Sequence, residues 1–225
     1  SLPTIVKTFM GAMKSMRGAG NGSNGRTAQD INLKIVIVAI IILTFLIWII
    51  PAIPVSPLGA LIIVVFGFFF ATVSSRMVGL VGSSNNPVSG MAIATLLIAS
   101  LILKFTDADG IDGMASAIAI GSIICIVSAI AGDTSQDLKT GYILGATPKK
   151  QQTGELIGVV ASALAIGGTL YLLNSAWGFS SEGELLAPQA NLMKVIVEGV
   201  MDGNLPWTLV FIGAFIAIAV EIVGI

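Results

Sequence analysis

Residues 33–50 read LKIVIVAIIILTFLIWII, an apolar run with one charge near its start and Pro51 directly after it. A transmembrane helix needs about 20 consecutive, mostly apolar residues. Pro51 and Pro54 would stop such a helix because proline lacks a backbone donor. The run therefore predicts a membrane-spanning helix. At its other end, Thr27 is a possible helix cap, with Asp30 three residues later.

The composition of the whole chain indicates a membrane protein. Of its 225 residues, 55% are hydrophobic and 10% are charged, and the mean hydropathy is +0.98. Soluble domains carry about 25% charged residues, so a soluble fold of this size could not cover its surface with so few. There is no histidine and Cys125 is the single cysteine. We expect no metal site and no cofactor, and a net charge of −1 gives no reason to expect a nucleic-acid partner.

Further apolar runs predict an all-α fold, a polytopic transmembrane bundle of about six spans or half-spans. Residues 1–32 would be a cytoplasmic amphipathic segment with a Gly/Asn/Ser linker, and residues 33–225 the bundle. The segment 91–103 is short for a full crossing, so it either spans as a broken helix or forms a re-entrant hairpin. The runs after the first are residues 58–74, 91–103, 114–131, 156–173 and 208–225, with a short surface or interfacial helix at 191–201.

The positive charges predict an orientation. Lys and Arg concentrate on the cytoplasmic side of membrane proteins. With six spans and the N-terminus inside, nine of them fall on that side, and only Lys104 and Lys194 fall on the other. We therefore expect a cytoplasmic N-terminus. The nine are Lys7, Lys14, Arg17, Arg26, Lys34, Arg76, Lys139, Lys149 and Lys150.

Two polar stretches interrupt the apolar pattern, and the first is VGSSNNPVSG at residues 81–90. Pro87 biases Asn86 away from helix. Irregular backbone at membrane depth survives only when it is buried in protein or lines a wet cavity, and transporter sites are often built this way. The alternative is an ordinary polar loop with a proline turn. The candidate residues are Ser84, Asn85, Asn86, Pro87, Ser89 and Gly90.

The second stretch covers residues 132–152, GDTSQDLKTGYILGATPKKQQ. Asp133 and Asp137 would share a face if the segment is helical, and carboxylates in a membrane are candidates for handling ions or protons. The alternative is a solvated cytoplasmic loop in which Asp133 caps a helix. Glu221, within the last apolar run, either relays protons or lies near the cytoplasmic headgroups. Nothing resembles a nucleophile–histidine pair, a phosphate loop or a metal cluster, so we do not expect an enzyme.

At these two stretches the chain resembles the oligopeptide transporter (OPT) family. SQDLKTGYILGATPKKQQ, at residues 135–152, is similar to the family's Q-D-[LF]-K-T-G-Y segment and the Pro-Arg/Lys element after it. NNPVSG, at residues 85–90, resembles the family's Asn-Pro-Gly element, although Val88 and Ser89 intervene before the glycine. The GATPKKQQ ending looks like the bacterial and archaeal branch. This implies a prokaryotic inner or plasma membrane protein.

The resemblance implies a secondary active transporter that imports oligopeptides, usually with protons. Family members are much longer, so we expect this chain to be a fragment that needs the remaining helices of the transporter. Coupling would need a protonatable group, for which Asp133, Asp137 and Glu221 are the candidates. By motif position, the second element contributes Gln136, Asp137, Lys139, Thr140, Gly141 and Tyr142 to the transport pathway.

Two alternatives stay open from the sequence. One is a carrier of siderophore- or nicotianamine-like metal chelates, which this region would recognise by the chelate and not by the bare metal. The other is a channel or a membrane scaffold that does not transport.

Overall fold

The computed structural model describes residue 10 and residues 25–106, 110–179 and 185–223, and its regular elements there are all helical. Five of the described helices, α1 to α5, are long and apolar enough to cross a membrane when the 3-10 turns before α1 and α3 are included, and α7 is a shorter apolar helix. The predicted polytopic helix bundle is confirmed. The helices are α1 (Leu33–Ile49), α2 (Pro57–Val81), α3 (Val88–Phe105), α4 (Ile111–Leu144), α5 (Pro148–Ala176), α6 (Pro188–Met201) and α7 (Trp207–Val223).

The buried core lies between α2, α3 and α4, and α6 packs against α3 and α4. Val197 and Val200 of the amphipathic α6 are at most 1% exposed. By contrast α1, α5 and α7 bury none of their described residues. Their apolar side chains point outward, as expected of helices that meet lipid or further helices. The central core residues are Ile62, Ile63, Leu96, Ala99, Leu103, Ala117, Ile120 and Val197.

The helix break expected near residues 85–90 is present between α2 and α3. Helix α2 ends at Gly82, whose φ of +82° is open to glycine but strained for other residues, and a 3-10 turn follows at Ser83–Asn85. Asn86 is extended, as a residue before proline should be, and α3 begins directly after Pro87. Helix α3 has 18 residues, more than the 13 expected, because Val88, Ser89 and Gly90 join it at its start and Lys104 and Phe105 at its end.

Of the two alternatives for residues 132–152, the solvated loop is wrong for the part up to Leu144, which is helical. Helix α4 has 34 residues and continues to Leu144, so Asp133 lies inside a helix and caps nothing. Neither proline nor a left-handed residue interrupts the chain before Gly145, whose φ of +73° ends the helix. Pro148 then opens α5 at its first position. The connection between the two helices is only three residues long.

The start of α1 also differs from the sequence expectation. The side chain of Asn32 accepts a hydrogen bond from the Lys34 backbone N at 2.9 Å and caps the helix. Thr27 instead lies in a 3-10 turn at Arg26–Ala28. Asn32 is adjacent to the apolar run, so its short side chain reaches the free N–H groups of the first turn.

The segment before α1 is fastened to the turn between α4 and α5. The Arg26 guanidinium donates to the Gly145 carbonyl at 2.8 Å, and the Lys149 backbone N donates to the Gln29 carbonyl at 2.8 Å. The Gln152 side-chain carbonyl accepts from the Ile31 backbone N at 3.0 Å. Positive residues from two predicted cytoplasmic segments, Arg26 and Lys149, therefore lie at one end of the bundle.

Candidate functional site

Asn86 connects the helix break to the two central helices. Its side-chain Nδ2 donates to Ser74 Oγ of α2 at 2.7 Å and lies 3.5 Å from the Ser128 carbonyl of α4. Ser74 Oγ donates to the same carbonyl. Ser74 and Ser128 are completely buried, and no described residue donates to the buried Asn86 Oδ1. The break thus places the Asn86 amide between two apolar helices, and the oxygen of this amide has no donor among the described residues.

Gly132 makes this approach possible. A Cβ atom at this position would lie 2.7 Å from Asn86 Nδ2, 2.9 Å from Val78 Cγ2 and 3.1 Å from Ser74 Oγ. Real Cβ atoms do not come this close to their neighbours. The absence of a side chain at Gly132 therefore allows the break to reach the surface of α4.

A polar-edged groove runs along the seam between α2 and α4 next to this contact. Its volume is about 440 Å³, and its lining includes Ser75, Ala131, Thr134 and Ser135. Ser75 Oγ donates to the Ala131 carbonyl at 3.3 Å, and Ser135 Oγ donates to the Ser75 carbonyl at 3.4 Å. The groove is therefore lined by hydroxyl groups from both helices.

Thr134 connects the groove to a pair of carboxyl groups between α4 and α5. Its Oγ1 donates to Glu155 Oε2 at 2.8 Å. The half-buried Glu155 lies close to the exposed Asp137, and its Oε1 is buried without a hydrogen-bond donor among the described residues. Gln151 Nε2 donates to the Asp137 carbonyl at 3.1 Å and lies 3.4 Å from its Oδ2. Because two neighbouring carboxylates repel each other when both are charged, the pair is suited to sharing a proton.

Gly141 of the QDLKTGY segment has the same structural role as Gly132. It is buried against Gln151, and a Cβ atom there would lie 2.0 Å from Gln151 Oε1. A larger residue at Gly141 would push Gln151 away from Asp137. The glycine of this segment therefore lets α4 and α5 approach at the carboxyl pair.

The other predicted residues of the break are on the surface of the described chain. Asn85 Nδ2 donates to the Val81 carbonyl at 3.2 Å and so satisfies the end of α2. Ser84, Pro87, Ser89 and Gly90 are exposed, and a Cβ atom at Gly90 would meet nothing within 4 Å. Of this stretch, the structure brings only Asn86 to the central helices.

The predicted residues of the second stretch are spread over the outer surface of α4. Lys139 Nζ lies 5.4 Å from the centre of the Tyr142 ring, a cation–π contact between two exposed side chains. Thr140 Oγ1 donates to the Gln136 carbonyl of its own helix at 3.0 Å. Asp133 is exposed on the same helix. Glu221 is exposed on α7, a helix that buries none of its described residues.

Sequence reasoning missed Glu155, Gln151, Thr134, Ser74 and Ser128. Glu155 directly precedes the apolar run 156–173, and that position was the available signal for a carboxyl group at a helix end. The two serines gave no signal, because single serines are common in membrane helices. Among the described residues, no three Cys, Asp or Glu side chains converge in a way that could hold a metal ion.

The fold and this seam define a class of protein, a multi-pass α-helical membrane protein with a helix break whose residue Asn86 contacts two central helices. The family model described as "OPT oligopeptide transporter protein" matches residues 4–224. The chain belongs to the oligopeptide transporter family.

Two relatives carry names that begin "Putative oligopeptide transporter". The one from Haemophilus influenzae is 38% identical over 168 residues, which are 67% of this chain and 26% of the relative. The one from Saccharomyces cerevisiae, designated YGL114W, is 30% identical over 119 residues, which are 53% of this chain and 16% of the relative. The matched part thus spans about a quarter or less of these relatives. No solved structure matches the chain significantly.

Proposed function

We propose that this chain is part of a secondary active transporter that imports oligopeptides with protons. Membership of the oligopeptide transporter family over nearly the whole chain carries the proposal. The relatives matched here are several times longer than the matched part, so transport is assigned to the whole protein and not to this part alone. The remaining helices of that protein, and membrane lipid, are its partners in this proposal.

The break supports an alternating-access mechanism. Carriers often place substrate sites where a helix is interrupted, because the interruption frees polar groups at membrane depth. Here Asn86 Oδ1 is buried and lacks a donor among the described residues. In the proposal, Asn86 holds the break against α2 and α4 in one state and releases it in another, while Ser84, Asn85, Ser89 and Gly90 face the pathway.

The carboxyl pair supports proton coupling. Asp137 and Glu155 lie close together, and in the proposal they share one proton in the arrangement described. A movement of α5 relative to α4 would separate them, and the isolated carboxyl groups would then lose that proton. Asp133 and Glu221 remain candidates for the same role. In this proposal the cytoplasmic face of the pathway includes Gln136, Lys139, Thr140 and Tyr142.

The proposed orientation places the N-terminus and the turn between α4 and α5 in the cytoplasm of a prokaryotic cell. Arg26, Lys139 and Lys149 all lie at that end of the bundle. Residues 1–32 would then be a cytoplasmic segment, fastened by residues 26–31 to this end of the bundle formed by residues 33–225.

The test is uptake of a labelled mixture of short peptides by the full-length parent protein in proteoliposomes, with and without an inward proton gradient. Saturable accumulation that depends on the gradient is expected. The Asp137→Asn and Glu155→Gln variants should lose gradient-driven uptake, as should Asp133→Asn or Glu221→Gln if either residue is the coupling group. Unchanged uptake in all four variants would contradict this assignment. If folded wild-type protein takes up no peptide, the proposal is wrong, and metal chelates become the next substrates to test.

A further inference from the structure

A second cavity lies at the end of the bundle opposite the turn between α4 and α5. It has a volume of about 440 Å³, within the usual range for small-molecule sites. One wall is the end of α1 and the connection to α2, with Trp48, Pro51 and Pro54. The other wall is the first two turns of α4, with Asp112 and Ser116. None of these residues belongs to the seam described above.

Ser116 has a hydroxyl group without a partner. The residue is 5% exposed, and its Oγ makes no hydrogen bond among the described residues. Ser100 and Ser128 also lack a partner, but neither lines this cavity. Two other hydroxyls in these helices donate to the carbonyl four residues earlier, Ser122 Oγ to Ile118 at 2.8 Å and Thr95 Oγ1 to Met91 at 2.9 Å. A buried polar group without a partner costs about 1–3 kcal/mol. A ligand in the cavity would satisfy Ser116.

Asp112 gives the cavity its charge. It is the one charged residue among the described residues that line it, and it lies one turn before Ser116, so both share a face of α4. Lys104 follows the lining residue Leu103, but its Nζ donates to the Val200 carbonyl of α6 at 2.8 Å and is held there. A helix N-terminus by itself would favour an anion, but the full charge of Asp112 exceeds the partial charge of the helix end.

The chemistry of the two walls fits a primary ammonium group. An ammonium has three donors, which suit the Asp112 carboxylate and the Ser116 hydroxyl oxygen together. The ring of Trp48 on the facing wall can contribute a cation–π contact, since tryptophan is the aromatic residue that binds cations best. Pro51 and Pro54 offer an apolar surface beside it. A short peptide presents this combination at its amino terminus, an ammonium next to a side chain.

We propose that this cavity binds the amino terminus of the transported peptide before the seam is reached. The inference rests on the proposed function of peptide import. In the proposed orientation the cavity opens on the non-cytoplasmic side, from which an importer takes its substrate. Asp112 and Ser116 then select peptides with a free amino terminus over peptides with a blocked one.

The experiment compares trialanine with N-acetyl-trialanine, using the full-length parent protein in vesicles of phosphatidylcholine and phosphatidylglycerol. These lipids have no primary amine, so no headgroup competes for the cavity. Trialanine should have a KM about 2- to 5-fold lower than its acetylated form, as expected for an ion pair with an exposed carboxylate worth about 0.5–1 kcal/mol. Asp112→Asn should remove this difference by raising the KM for trialanine alone. Ser116→Ala should also reduce the difference between the two KM values by raising the KM for trialanine.

Asp202→Asn is the matched control, because Asp202 ends α6 and does not line the cavity. It should leave the preference for the free amino terminus unchanged.

If the wild-type protein transports both peptides with equal KM, the inference is wrong and peptide import stands. If Asp112→Asn changes both KM values equally, Asp112 only stabilises the helix end and the inference is also wrong. If neither peptide is transported, the proposed function fails and the inference fails with it. If adding phosphatidylethanolamine to the vesicles raises the KM for trialanine, lipid amines bind the same site, which supports the ammonium chemistry.

Discussion

Replacement of Gly132 by alanine tests whether close contact between the break and α4 holds the seam together. The new Cβ would lie 2.7 Å from Asn86 Nδ2 and 2.9 Å from Val78 Cγ2, so both neighbours must move. Overpacking of this kind costs about 1–3 kcal/mol. Alanine is also a better helix former than glycine by about 1 kcal/mol, and this gain offsets part of the cost. The stabilisation from the higher helix propensity of alanine must therefore be measured separately from the steric cost.

Gly79→Ala provides that separation. Gly79 lies in α2, and a Cβ atom there would meet nothing within 4 Å. This variant therefore has the higher helix propensity of alanine without a steric overlap. We expect the free energy of unfolding of Gly132→Ala to be about 1–3 kcal/mol lower than that of Gly79→Ala. The measurement is an SDS titration of the full-length parent protein in mixed micelles, followed by tryptophan fluorescence. Equal unfolding free energies for the two variants would refute the close contact.

The same substitution in an Asn86→Ala background shows which neighbour bears the cost. Removing the Asn86 amide removes the shortest of the contacts that a Cβ at Gly132 would make. Gly132→Ala should then cost less than in the wild-type background, with a coupling of at least about 0.5 kcal/mol, typical of side chains in contact. Strict additivity of the two substitutions would mean that Asn86 does not approach α4 at Gly132.

Three further predictions concern single residues. Glu155→Gln should make initial peptide uptake less dependent on the pH on the cytoplasmic side, whereas Glu198→Gln, from an exposed i,i+4 ion pair on α6, should leave the pH profile unchanged; identical profiles for both variants would contradict a role for Glu155. Gly145→Ala places a Cβ at a φ of +73° and should lower the free energy of unfolding by about 1 kcal/mol in the same SDS titration, and no change would contradict the left-handed end of α4. Asn32→Ala removes the cap of α1 and should cost about 0.5–2 kcal/mol, seen as faster hydrogen exchange in the first turn of α1 alone; unchanged exchange there would argue against the cap.

The apolar pattern predicted the fold because the bilayer imposes it. A run such as residues 33–50 can satisfy its backbone in lipid only as a helix, and the structure has a helix at each predicted run. The break near Asn86 could also be predicted, because Pro87 restricts the residue before it whatever the surroundings. These are local rules, and no knowledge of neighbouring helices is needed to apply them.

The polar stretches were harder to predict because their structure depends on neighbouring helices. The run from Asp133 to Leu144 has the composition of a loop, but it remains helical because it packs against the segment before α1 and against α5. Likewise the partners of Asn86 are serines 12 and 42 residues away along the chain. No local pattern marks a serine that a distant amide will contact. The fold was therefore easier to predict than the site.

The length of α4 determines where protons could be exchanged. Its 34 residues extend about 51 Å at 1.5 Å per residue, whereas the hydrocarbon core is about 30 Å thick. If Asp112 lies at one membrane surface, roughly the last 14 residues of α4, including Asp137, extend beyond the other. Asp137 and Glu155 then exchange protons with water on one side only, while Asn86 meets α4 near the boundary of the core. In the proposed import mechanism, proton binding at the carboxyl pair would therefore affect Asn86 through the groove between α2 and α4. Thr134 would transmit movement of Glu155 to this seam.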